Sequence, residues 1–329
     1  MTRNLHNLLP LVLFASVASA QLTLTGAGYS NPTPVALAPG QVTTLFVSGL
    51  SLRFPSPVFA SSTPLPTSLG GISARFQQGA NTYPFAIFSI RQTPTCTTGT
   101  TNECFSTAIT VQVPFYDATM NAPTLVISVN GADSQSMPVI GGIPHILTSC
   151  DSIFAAPSST TSFGLPICLP LVTHASGALA SVYSHGATSV QVSSGETIVV
   201  YATGMGSTTP PVPTGTVTPA PAPQVDFRLS NISFLISPNV GATYPWSQGC
   251  SSPCPPFTPP PGHPAASAWL VPGEVGLYQI NITLPTYTAA DLPTICGLAE
   301  NGFSFGVYSN VTISFFGGGA SLPVCISPQ

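Results

Sequence analysis

The residues able to do acid–base or nucleophilic chemistry are few and scattered. A hydrolytic triad needs a Ser or Cys beside a His that a carboxylate holds in one tautomer. Beyond the first twenty residues the histidines are His145, His174, His185 and His263, set against nine acids between Glu103 and Glu300. His174, His185 and Glu196 form the tightest group, and their surroundings read as turn and surface. A glycosidase needs two carboxyl groups held roughly 5 to 9 Å apart, but the acids here sit beside turns, as Asp133 does after Asn130-Gly131. No G-x-S-x-G elbow is expected, and there is no H-E-x-x-H and no phosphate loop with Lys. Calcium loops would need a D-x-D run, which is missing. Cys250-x3-Cys254 lacks the second Cys or His pair that zinc requires. The expectation is a non-enzymatic chain with no catalytic residue, metal or cofactor.

Binding chemistry is better represented. Gly241 to Pro264, Pro-rich and holding Cys250 and Cys254, reads as a surface excursion stapled by its disulfide or as a binding loop, in which Trp246 and Phe257, with Trp269 just beyond, could present flat aromatic faces. Glu274, in PGEVGLYQ, reads as part of a turn entering a strand, with Gly276 needed by the backbone and Tyr278 at the core edge. Sequons occur at Asn231, Asn281 and Asn310.

Composition narrows the classes further. Charged residues make up 4% of the 329, against about 25% in ordinary globular chains. No Lys occurs and the formal net charge is −4, so the basic patch of a nucleic-acid binder is missing. The polybasic patch that holds a protein to a membrane is missing too. Arg3, the apolar run from Leu8 to Val17 and Ala18-Ser19-Ala20 have the form of a secretory leader over residues 1–20. No later apolar run reaches the roughly 20 residues needed to cross a bilayer. The expected location is outside the cytoplasm, secreted or at the periplasmic or cell surface.

Export suits eight cysteines, an even set that allows many pairings. Spacing favours sequential disulfides: Cys96 with Cys104, Cys150 with Cys168, Cys250 with Cys254, and Cys296 with Cys325.

The elements that must position these residues are short strands. LTLTGAGYS from Leu22, Val42 to Val47, Ile72 to Phe76, Phe85 to Ile90, Ala108 to Val113 and Leu125 to Val129 alternate in period two between Gly, Asn and Pro turns. Ser51 to Leu69 should be an extended crossing between two sheets. The pattern then starts again. GQVTTLFVSGL from Gly40 returns as GETIVVYATGMG from Gly195, ITVQVPFY from Ile109 as INITLPTY from Ile280, and ISVNG from Ile127 as ISFFG from Ile313. Tyr29-Ser30 is matched with Tyr183-Ser184. Matches in one order imply a duplicated unit. Thr43, Leu45 and Val47, with Ile198, Val200 and Ala202, are expected to face the cores. Ser207 to Pro223 should be extended, because its alternating Pro excludes a helix.

The fold class expected is all-β, two tandem immunoglobulin-like β-sandwiches stapled by disulfides. After the leader come a first sandwich at 21–147, a disulfide-closed connector at 148–170, and a second sandwich at 171–329 with the Pro-rich and Cys-bounded inserts.

PLPTSLGG (Pro64 to Gly71), Ala38-Pro39-Gly40, VYATGMG (Val200 to Gly206) and VPGEVGLYQINITLP (Val271 to Pro285) resemble the uncharacterised domain repeated in secreted proteins of Solibacter-type acidobacteria. That domain is similar to the IPT/TIG immunoglobulin-like modules. The resemblance implies an exported module without an activity of its own. The function expected is therefore a structural or adhesive module of the cell envelope or extracellular matrix. The alternative is carbohydrate binding through Trp246, Phe257 and Trp269. The partner classes left open are an extracellular protein or a polysaccharide, with no nucleic acid and no membrane insertion.

Overall fold

Alternation in Val42–Ser48 decides which way the strand faces: Leu45 and Val47 are fully buried and Thr43 nearly so, while Val42, Phe46 and Ser48 are half-buried. Thr44 is the exception on the outer set. It is buried, and its hydroxyl is satisfied by that of Thr110 across the strand pair at 3.2 Å. In Thr197–Thr203 the residues Ile198, Val200 and Ala202 are fully buried in the same way. Each fully buried Leu or Val contributes about 1.5–3 kcal/mol relative to exposure.

The computed structural model describes residues 22–29, 36–96, 104–116, 123–134, 136–142, 144–148, 151, 170–180, 191–225, 233–238, 266–292, 297–300, 305–308, 310–316, 320–327 and 329. The expected leader, Cys150, Cys168, Cys250, Cys254, Cys296, Trp246 and Phe257 lie outside these residues. Among the described residues the chain is built of strands, nearly all antiparallel.

In the first half, a five-stranded sheet runs Thr23–Gly28, Val42–Ser48, Phe105–Gln112, Ala86–Pro94, Val58–Phe59. A second sheet runs Ala132–Asp133, Thr124–Val129, Ile72–Gln78, Ser68–Leu69. Leu45, Ile90 and Ile109 from one sheet meet Ile72, Phe76 and Ile127 from the other in a single core. Phe76 lies edge-on to Phe85 and to Tyr116, with ring centroids 4.7 and 5.0 Å apart. Residues 51–69 pass from the edge of one sheet to the edge of the other, as their Pro-rich sequence led us to expect. The Asn130-Gly131 turn has positive φ at both residues, the backbone that a two-residue hairpin requires.

The second half repeats the pairing. Val200 lies opposite Ile280 as Leu45 lies opposite Ile109, and Ala268 lies on the far side of Ile280 as Ile90 does of Ile109. Ser233–Pro238 pairs with Val311–Phe316 as Ile72–Gln78 pairs with Thr124–Val129. Residues of both sheets, among them Val200, Ile280, Ile313 and Leu322, share one core. His145–Ile146, within the stretch assigned to the first unit, pairs with Thr203 and Ala202 of the second half.

The halves meet through hydrogen bonds to backbone groups. Thr203 Oγ1 accepts the N–H of Val42 at 2.6 Å, and Pro39 O accepts that of Gly206 at 3.1 Å. Tyr278, expected at the core edge, is fully buried and donates its hydroxyl to Gly206 O at 2.7 Å. The Pro-rich stretch forms no helix, but it is not one extended run: it doubles back through a turn at residues 214–215, and its ends are held together by Thr208 and Thr209 pairing with Val225 and Gln224. Its turn docks onto the first half, where Gly215 O accepts the N–H of Leu65. Gly276 has φ +69, and a Cβ there would lie 2.8 Å from Val42 Cγ2. The left-handed backbone and that contact together require Gly at this position.

Cys96 and Cys104 are bonded as their spacing suggested. Cys325 is buried and disulfide-bonded. No helix among the described residues is long and apolar enough to cross a membrane.

Candidate functional site

Among the described residues the closest approach of a His to an acid is His174 Nδ1 to Glu196 Oε1, 2.5 Å, with both side chains about one-fifth exposed. A carboxylate on Nδ1 is the orienting half of a triad. Among the described residues, however, no hydroxyl or thiol hydrogen-bonds the other ring nitrogen. His185 lies outside them.

The backbone explains why Glu196 is there. Its Oε2 accepts the N–H of Ser193 at 2.8 Å, while its own N–H bonds Ser193 O at 3.1 Å. The turn is closed twice, once by the main chain and once by the side chain. Gln41 makes the same closure in the first half: Oε1 accepts the N–H of Ala38 at 2.8 Å, and its N–H bonds Ala38 O at 3.1 Å. The remaining atom of each side chain reaches a ring, Glu196 Oε1 to His174 and Gln41 Nε2 to Tyr29 Oη at 2.7 Å. Strand register puts the two rings in equivalent places. His174 opposes Ile198, and Tyr29 follows Gly28, which opposes Thr44. Tyr29 therefore finds its counterpart in His174, whereas the sequence match pointed to Tyr183, outside the described residues.

A second cluster was not visible in the sequence. His145 Nε2 lies 3.0 Å from Asp151 Oδ2, and its ring stacks on Tyr29 with centroids 3.5 Å apart. Asp151, buried, also accepts the N–H of Thr148 at 2.6 Å and bonds Thr148 O through its own N–H. Burial, reinforced by the Asp151 charge, pushes the Tyr29 phenol far above its ordinary value. Thr288 and Asp291 repeat the doubly closed turn. The spacing Ser/Thr-x-x-Asp/Glu was the available signal.

Asp133 is committed as well: it receives a bidentate pair from Arg75 at 2.6 and 2.9 Å and the Ser128 hydroxyl at 2.6 Å. Glu274 is exposed in the turn its sequence suggested. Asn310 is 6% exposed, and its amide is consumed by both backbone groups of Ile326. No group of three His, Cys, Asp or Glu placed to hold a metal occurs among the described residues.

The expectation that the sequence holds no G-x-S-x-G is incorrect: Gly302-Phe303-Ser304-Phe305-Gly306 has that form. A nucleophile elbow joins a strand to a helix. Here Glu300 pairs with Phe305 in an antiparallel hairpin. Ser304 itself lies outside the described residues.

Of the three aromatic residues singled out for binding, Trp269 is described, and it stands on the strand Ala266–Leu270 and not on a loop. Ala-Ser-Ala-Trp-Leu has little strand signal of its own; pairing with Tyr278–Thr283 supplies it. Trp269 opposes Gln279, which opposes Tyr201 on its other side, and Gln224 flanks Trp269. The first three are half-buried and Gln224 is exposed.

No family model, curated protein or solved structure matches the chain.

Proposed function

We infer that the chain is a secreted, non-enzymatic structural or adhesive module of the cell envelope or extracellular matrix, made of two tandem immunoglobulin-like β-sandwiches. The observation that carries this reading is the equivalence of Gln41 and Glu196. The carboxylate of the one His–acid pair suggested by sequence does a job that a neutral carboxamide does in the other half. An acceptor oxygen is what the turn requires, and ionisation is not. The tandem arrangement is supported by the shared register of Leu45 with Ile109 and Val200 with Ile280. The affiliation with the Solibacter-type domain and the export of the chain belong to the same proposal.

The test is a pull-down with the mature protein against the surface polymers and proteins of its own culture, alongside assays on ester, peptide and glycoside substrates. Selective capture without turnover is the expected result. Turnover abolished by His174→Ala would replace this reading with a hydrolase.

Carbohydrate binding is the second reading. It is favoured by the placement of Trp269 in a row with Tyr201 and two glutamines.

A further inference from the structure

Across the outer face of the sheet containing Thr197–Thr203, direct pairing sets Tyr201, Gln279, Trp269 and Gln224 side by side on four successive strands. Directly opposed residues of antiparallel strands share a face, with Cβ atoms about 4.5–5.5 Å apart. Their chain neighbours Ala202, Tyr278, Ile280, Ala268, Leu270 and Val225 are all in the core, so the row faces outward.

We propose that this row is a binding strip for a neutral, extended polysaccharide. The proposal rests on the adhesive reading above and names its ligand. Aromatic rings offer a flat apolar face to the C–H face of a sugar ring, and a carboxamide offers both a donor and acceptors to hydroxyls without carrying charge. The row alternates these two chemistries twice. Neighbouring strands lie about 4.8 Å apart, close to the length of one hexopyranose in an extended chain. Tyr201 and Trp269, two strands apart, therefore take alternate sugars, and Gln279 meets the hydroxyls of the sugar between them. The adjacent row on this face, Thr173, Val199, Asn281 and Ser267, is also uncharged; Thr173 and the Asn281 side-chain oxygen are buried, so the exposed part of the face is the row from Tyr201 to Gln224. A neutral polymer fits this surface, whereas an anionic one would need cations beside the row.

Native gels cast with hydroxyethylcellulose, arabinoxylan, galactomannan or mixed-linkage glucan provide the test, run with the full mature chain and its disulfides intact. At least one polymer should retard the protein. Trp269→Ala should weaken that affinity by roughly tenfold, the scale of one lost stacking contact. Gln224 is exposed, so Gln224→Ala keeps the fold and should weaken binding by a smaller factor. Phe59→Ala, at an exposed residue of the first half, should change nothing. Unretarded migration in all four gels overturns the strip, as does retardation that both strip variants retain. A Trp269-dependent dimer in sedimentation would mark the face as a self-contact instead. If Trp269→Ala is still captured by surface polymers, the strip fails and the adhesive reading survives; a mature chain that captures nothing fails both.

Discussion

Gln112 Oε1 accepts the backbone N–H of Gly215 at 2.6 Å in a buried setting, which ties the central strand pair of the first half to the Pro-rich turn of the second. Gly215 has φ +79, and a Cβ on it would lie 2.8 Å from that of Ala86. The turn can approach this closely only because the residue is Gly.

The two halves should therefore unfold together. A single urea transition is expected for the disulfide-intact protein. Gln112→Ala should cost about 1–3 kcal/mol for the orphaned N–H. Gly215→Ala should cost at least as much, since strain at positive φ adds to the contact. Two separated transitions in the unmutated protein would refute the coupling.

Strand facing can be read by a pair of substitutions. Val200 is fully buried and its neighbour Val199 is half-buried on the opposite face. Val200→Asp places an unpaired charge in the core and should cost more than about 4 kcal/mol, enough to prevent folding. Val199→Asp should cost much less. Equal melting temperatures for the two variants would be inconsistent with this register.

Acid sensitivity follows from Asp133. The Arg75 guanidinium and the Ser128 hydroxyl hold its carboxyl down to about 2, against an ordinary 3.8. A depressed native value means that the stabilisation is fully present above the unfolded value near 3.8 and is lost as pH falls toward 2. The unmutated protein should lose stability over that window, and Asp133→Asn should show a flatter profile there. The pair is exposed, so high salt should shrink the difference.

The bond between Cys96 and Cys104 closes a short loop, with a sequence separation of 8. Chain-entropy arguments give such a loop about 2.5 kcal/mol. Replacing both residues with Ser should lower unfolding stability by about that amount while leaving the far-UV spectrum β-rich. A change below a few tenths would mean that the neighbouring strands hold the loop by themselves.

Much of the architecture was legible because period-two alternation leaves one face to bury. Thr43, Leu45 and Val47 go inward with Ile198, Val200 and Ala202, and Asn130-Gly131 writes its hairpin turn in two residues. Trp269 was misplaced because its strand opens with the small residues Ala-Ser-Ala, and the signal lies in its partner Tyr278–Thr283. Glu196 was picked out as chemistry because a carboxylate near histidines looks like one. Its place in a doubly closed turn became visible only when Gln41 was found making the same two bonds.

From its sequence alone this protein reads as a chain of short alternating strands, nearly free of charge. Alternation and turn residues act over a few positions, so they need no knowledge of the rest of the chain. The packing of Gly215 on Ala86, the stacking of His145 on Tyr29 and the row from Tyr201 to Gln224 join residues far apart in the chain. Cross-strand register and the close approach of the two halves create those contacts, and no local pattern encodes either.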